Sequence, residues 1–395
     1  MGREADEEVL ARLEQFRRRS IVDVEDATTV TALSSFVADH GVDPIDYVVG
    51  LMSRHDVVML GERHPSTQSG ELLADLVPAL AAAGVWNLGA EWLLSEDQAQ
   101  LDAIVSADEF DEVAAQRCVL RWAMRSGVVP ALRVEVLRSA WEVNARRDPN
   151  APFFRVMGLD YDLDYDAVTD RADLHTPEAW PHLRDRGPAA RHMATIIEHE
   201  FMRPRRRAVV SCSTDHALSH HRRPSHPVLD RYDVDCEDDL VYGAGAHVFG
   251  LRADRIATVL VHQALPGRIG GPAEVYPADG LIDMMFARAD APKWPVGFDV
   301  TRSPFAPLTT SSAHDPTTLG RLADGWIFLD PFHQLEAPEP LVDALSDEDV
   351  DWLRRRMLAG AHRRPDNDLE TLVDVVNTET ASLETWFKTV GIAGY

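Results

Sequence analysis

Lysine is almost missing from this chain: of 395 residues only Lys293 and Lys388 are lysines. Arginine carries nearly all the positive charge, a pattern of composition bias. The 39 basic residues are outnumbered by 65 acidic ones, for a net charge of -26. A field of that sign repels a phosphate backbone and an anionic bilayer alike, so neither nucleic acid nor membrane is expected as a partner. Cysteine is also scarce. Cys118, Cys212 and Cys236 are an odd number with no close spacing, which argues against a disulfide framework and for a reducing, cytoplasmic setting. No stretch approaches the ~18 consecutive apolar residues of a membrane span. The first twenty residues have no apolar core, so no secretion signal is expected. Asp6 stands where a myristoylation motif needs Ser or Thr. Absent too are the Gly-x-Ser-x-Gly elbow, the P-loop and a Gly-x-Gly-x-x-Gly turn, which leaves serine-hydrolase, nucleotide-binding and dehydrogenase readings without a motif.

What is present is an ordinary globular composition, 45% hydrophobic and 26% charged, with ample chain for a core. Short apolar runs alternate with helical periodicity. Strands are expected at Asp56 to Gly61, Trp86 to Glu91, Phe153 to Asp160, Arg207 to Ser213 and Arg255 to Gln263, with shorter ones at Val296 to Val300 and Trp326 to Asp330. Helices are expected at Glu7 to Arg19, Val30 to Val37, from Pro44, at Gln68 to Ala83, from a capping Ser95 through Ala145, at Pro188 to Arg203 and at Asp238 to Leu251. This order predicts a three-layer α/β/α fold around a largely parallel sheet. Residues 1–52 read as an N-terminal helical arm, 53–336 as the α/β core with a helical, lid-like insertion at 95–148, and 337–395 as a C-terminal helical tail. The Pro- and Gly-rich stretch from Pro266 to Pro316 reads as surface loops.

Charged residues gather at the predicted strand ends. The first strand runs into Gly61-Glu62-Arg63-His64, the second ends on Glu91, the third on Asp160, and the fourth is followed by Asp215-His216. In a parallel sheet the carboxyl ends form the rim where ligands bind. Histidine titrates near neutrality and serves as a general base or metal ligand, and a nearby carboxylate orients it. A carboxylate closing an apolar strand needs pairing or solvent. Arg191, on the helix before the fourth strand, could reach the rim and stabilise an anion, or be a surface arginine. His220, His221 and His226 match no zinc spacing and read as loop residues. Cys212 lies inside an apolar strand and reads as core.

Val58-Met59-Leu60-Gly61-Glu62-Arg63-His64 resembles the opening motif of the erythromycin esterase (EreA) and ChaN-like superfamily, and its Gly-x-x-His spacing is similar to that of TIKI-type metalloproteases. Gly89-Ala90-Glu91, Gly158-Leu159-Asp160, Arg191-His192-Met193-Ala194, Ala208 through His216 and Trp326-Ile327-Phe328-Leu329 follow in the family's order. The likeness spans roughly 56–330. It implies an α/β/α core and a rim site of two histidines and acids, carried here by His64, Glu62, Glu91, Arg191 and His216. Gln68 stands where the esterase branch has an acid four residues after its histidine; the next acid is Glu71. The esterase motif also has a longer gap before its histidine; the shorter spacing here, from Gly61 to His64, is nearer the ChaN and TIKI branches, which imply haem and a divalent metal respectively.

The resulting expectation is a hydrolase-like enzyme for a small organic ester, lactone or amide of natural-product type, as in secondary metabolism. His64 would be general base or metal ligand, Glu62 and Glu91 orienting acids or ligands, His216 a second base, acid or ligand, and Arg191 the anion stabiliser. Asp160, Tyr161 and Glu71 are expected to contact substrate. A metal on His64, Glu62, Glu91 and His216 would be Zn, Mn or Fe. The alternative is a haem- or metal-binding protein without turnover, with Tyr161, Tyr165, His64 and His216 as iron ligands. The sequence carries no signal for oligomeric state.

Overall fold

Every residue of the first strand is buried, because the strand lies in the middle of the sheet with helices on both faces. The computed structural model describes residues 26–123, 128–164, 186–219, 243–266, 274–288, 290–310, 317–347, 350 and 369–389. Seven strands form the main sheet: β1 (Val57–Glu62), β2 (Asn87–Leu94), β3 (Arg155–Asp160), β4 (Ala208–Ser213), β5 (Ile256–Val261), β6 (Val296–Asp299) and β7 (Gly325–Phe328). Their order across the sheet is β3-β2-β4-β1-β5-β7-β6. All neighbours are parallel except β6, which runs antiparallel to β7 at the edge. This is a three-layer α/β/α fold.

Alternation along the strands sends successive side chains into two separate cores. Val58 and Leu60 join one with helices Pro44–Leu51, Thr67–Ala82, Gln98–Ser106, Glu112–Ala123 and Leu132–Ala145. Val57 and Met59 join the other with helices Asp26–His40, Ala189–Ile197, Ala244–Arg252 and Leu281–Phe286. The expected N-terminal arm therefore contributes one helix to each face. Between them Val42 and Gly297 exchange backbone hydrogen bonds of 3.0 and 2.8 Å, which covers part of the β6 edge. The helices expected as a lid-like insertion pack in the first core and form most of that layer. The C-terminal helix Leu369–Thr389 starts on the same core through Leu372 and Val376, and ends on a small third cluster with Phe332 and Leu335. The Glu7 to Arg19 helix lies outside the described residues.

Local chemistry explains most boundaries. Asp43 caps the helix at Pro44, accepting from Ile45 N at 2.8 Å. The helix after β1 is closed into a capping box by Ser66 and Ser69, and Gly84 beyond its end has φ 71°. Ser95 departs from expectation: it opens a short 3-10 turn and caps nothing. Its hydroxyl instead sits 3.0 Å from His192 Nε2. Strand β2 also runs three residues beyond Glu91, with its register against β3 slipping between Ala90 and Leu94.

Gly61 is required by a close approach. A Cβ there would lie 2.7 Å from Ala217 Cβ and 2.8 Å from Leu260 Cδ2. The first neighbour belongs to the one-turn helix Thr214–Ala217, which carries His216. Gly61→Ala should therefore lower stability by about 1–3 kcal/mol through overpacking, measured by urea denaturation. An unchanged midpoint would show that the turn can retreat freely.

Candidate functional site

The carboxyl ends of β1, β2 and β4 open on one pocket of about 790 Å³, its mouth included. Glu62, Arg63, His64, Glu91, Arg133 and Ser213 supply its polar lining, and Trp92, Val119, Trp122, Val128, Pro130 and Leu383 are prominent in its apolar wall. This is the rim expected from the strand ends, walled by helices of the first core and by the C-terminal helix.

Glu62, the last residue of β1, is buried and ion-paired with the buried guanidinium of Arg133. That guanidinium also lies 4.8 Å from the Trp92 ring centroid, where the ring face attracts a cation. The pairing is partial: Glu62 Oε2 and Arg133 Nη1 are buried with no hydrogen-bond partner among the described residues. Arg133 sits on the inward stripe of its helix with Leu137, Ala140 and Asn144, at i, i+4, i+7 and i+11.

Glu91 faces the pocket from the irregular part of β2. Its Oε2 accepts from Ser213 N at 2.5 Å, and its Oε1 lies 3.8 Å from His216 Nε2. The two strand ends and the His216 turn thus meet on one carboxylate. Cys212, next to Ser213, also borders the pocket. Burial, then the charges of Glu91 and Glu62, push its thiol well above the usual cysteine range, which leaves it protonated and poorly nucleophilic.

His64 is held by its backbone. Gln263 Oε1 accepts from His64 N at 2.8 Å and from Arg63 N at 3.0 Å, while Gln263 Nε2 donates to His64 O at 2.8 Å. The ring packs edge-on against Trp386, with centroids 4.4 Å apart. Burial first, and the Arg63 charge second, lower its pKa to about 4 from an ordinary 6.5. The imidazole is therefore neutral through the physiological range. Its folded pKa is depressed, so the unfolded chain binds more protons between the two values. The His64 contribution should hold stability level above pH 6.5 and lower it as pH falls toward 4. Proton NMR of the His64 ring should show a midpoint near 4; one near 6.5 would mean that the ring is solvated.

The remaining expected residues fall elsewhere. Asp160 is buried outside the pocket lining, accepting from Trp122 Nε1 at 2.8 Å, which fixes an indole of the pocket wall. Tyr161 is fully buried and its hydroxyl donates to Gly187 O. Arg191 and Glu71 are exposed and outside the pocket lining; the arginines that line the pocket are Arg63 and Arg133. Tyr165, His220, His221 and His226 lie outside the described residues. Arg133, Gln263, Trp92 and Trp386 were not anticipated. Gln263 carries the strand-end signal used for the others, and Arg133 the helical-stripe signal.

The donors expected for a metal do not assemble as a set. Among the described residues, no group of three or more His, Cys, Asp or Glu side chains is placed to hold an ion. Glu62 is committed to Arg133, and one oxygen of Glu91 to Ser213 N. Of the haem-ligand candidates, Tyr161 donates its hydroxyl to a backbone carbonyl, and Tyr165 lies outside the described residues. No described helix is long and apolar enough to cross a membrane.

No family model matches the chain, and no curated protein sequence matches it. Among solved structures, it is similar to a succinoglycan biosynthesis protein, at 11% identity and a TM-score of 0.52, over 78% of this chain and 98% of that one. It is similar to an erythromycin esterase mutant, EreC, in its open conformation, at 9% identity and a TM-score of 0.43, over 71% of this chain and 92% of that one. It is also similar to ChaN of Campylobacter jejuni, a structure with cofacial haem, at 13% identity and a TM-score of 0.35, over 56% of this chain and 87% of that one. The relationship to the esterase and to ChaN is distant, and these likenesses concern the fold alone.

Proposed function

We propose that this protein is a hydrolase for an ester, lactone or amide of a small, largely apolar organic molecule. The observation that carries this reading is the state of Glu91: a pocket-facing carboxylate held by Ser213 N–H on one oxygen and flanked by His216 on the other. Such a group is a positioned general base. It takes a proton from water as the oxygen adds to the substrate carbonyl carbon. The carbonyl oxygen gains negative charge and is stabilised by Arg133. On collapse the C–O or C–N bond breaks, and the proton passes from Glu91 to the leaving oxygen or nitrogen.

His64 takes a different role from the general base or metal ligand expected from sequence. A group titrating near 4 is a weak base at neutral pH, but a neutral imidazole can donate a hydrogen bond to a carbonyl without releasing charge. Glu62 keeps Arg133 in place. His216 lies behind Glu91 and orients it. The indoles of Trp92 and Trp122 and the aliphatic wall suit an apolar acyl or leaving group.

The test is a panel of chromogenic esters, lactones and anilides assayed with the native protein and with Glu91→Gln. Turnover by the native protein, largely lost in the variant, supports the proposal. No turnover on any member, or equal turnover by both proteins, refutes it.

A further inference from the structure

At the opposite end of the sheet, where β2, β3 and β4 begin, lies a second cleft of about 980 Å³, its mouth included. Its lining holds four arginines, Arg155, Arg205, Arg206 and Arg207, with the aromatic rings of Trp86 and Phe153, and no acidic residue among the described residues. In a chain of net charge -26, this is a local reversal of sign.

Two of the arginines are committed to the fold. Arg207 donates to the carbonyls of Met52, Ala83 and Gly84, the last two at the end of helix Thr67–Ala82. Arg155 is held by Asp102 at 3.0 Å and Glu200 at 3.4 Å. The other two are not. Arg206 is exposed, and its nearest acid is the same Glu200, at 3.9 Å. Arg205 is exposed, with no ion pair or side-chain hydrogen bond among the described residues. Its backbone has φ 56°, and its N–H donates to Met202 O at 3.2 Å at the end of the preceding helical turn. That left-handed position after a helix favours glycine, and a non-glycine residue there is disfavoured by about 1 kcal/mol. An arginine is held at that strained corner beside the cleft.

The aromatic wall is arranged as well. The Arg147 guanidinium lies 3.7 Å from the Phe153 ring centroid. Arg147 is anchored in turn by donating to the carbonyls of Asp148, Pro149 and Ala151. Phe153 is nevertheless 43% exposed, unusual for a large apolar ring unless something stacks on it.

We propose that this cleft binds a small phosphate-bearing ligand with a planar aromatic ring, of the nucleoside-phosphate class. The forked donors of Arg205 and Arg206 match phosphoryl oxygens, and the faces of Phe153 and Trp86 receive the ring. A polyanion would meet the repulsion of a chain of net charge -26, whereas a single small anion needs only the local field. The site lies at the amino ends of the strands, one sheet length away from Glu91, and takes no part in the chemistry there.

The test is equilibrium dialysis of the full chain with ADP, inorganic pyrophosphate and adenosine as separate probes. The expected result is saturable ADP binding with Kd of about 100 µM or below, weaker pyrophosphate binding and weaker adenosine binding. Arg205→Ala combined with Arg206→Ala should weaken ADP at least about tenfold, as for loss of charge-assisted hydrogen bonds. Both side chains are exposed, so folding should be untouched, as circular dichroism would confirm. Phe153→Ala should weaken ADP while sparing pyrophosphate. Adenosine binding as tightly as ADP, an unchanged affinity in the double variant, or no saturation below about 1 mM would each overturn the proposal.

Discussion

Arg133→Met is expected to destabilise the protein by about 3–5 kcal/mol, because it strands the Glu62 carboxylate in a site that solvent barely reaches. The two side chains are 6% and 11% exposed, so water from the pocket replaces the lost partner only in part. The pair itself adds little net stability, since desolvating two charges offsets most of their attraction. The double variant Arg133→Met, Glu62→Leu should therefore recover most of the loss. Urea denaturation of both variants decides the matter. A single variant within about 1 kcal/mol of the native protein would mean that Glu62 is neutral or solvated.

Glu91→Gln should reduce kcat on a hydrolysed substrate by about 10²–10⁴-fold with little change in KM. The amide keeps the shape and can still accept from Ser213 N, so binding and folding are preserved while the proton acceptor is gone. His216 acts on the reaction through Glu91. His216→Gln, which retains an N–H donor, should lose less of kcat than His216→Leu. Equal losses in the two would mean that the imidazole itself handles a proton. A fall confined to KM in Glu91→Gln would turn the site into one that binds without turnover.

The strands and helices of the core were legible in the sequence because period-two and period-3.6 patterns report directly on burial. The five long strands were found within a few residues. The rim was legible for the same reason, since Glu62 and His64 follow an apolar run and His216 follows another. Strand order was not. Nothing local to β1 says that its neighbours are β4 and β5 rather than β2. Glu91 looked like a strand end because the slip of register that turns it toward the pocket leaves no composition signal. Arg191 stands out by its position along the chain, whereas Arg133 is brought to the pocket by the packing of helix Leu132–Ala145 against helix Thr67–Ala82. Trp386 lies more than three hundred positions after His64, a contact that only the folded chain reveals.

The place of β1 in the sheet bears on how the chain can fold. It is the first strand of the main sheet in chain order and sits deep in it, yet Val57 pairs with Ala208 and Ile256, about 150 and about 200 positions later. Its ladder therefore closes only after two long loops have been brought together, and such non-local parallel pairing slows folding. Until then Val57-Val58-Met59-Leu60 presents two unpaired edges and an apolar surface on each face. Refolding yield should depend steeply on protein concentration, with this segment as the point of self-association.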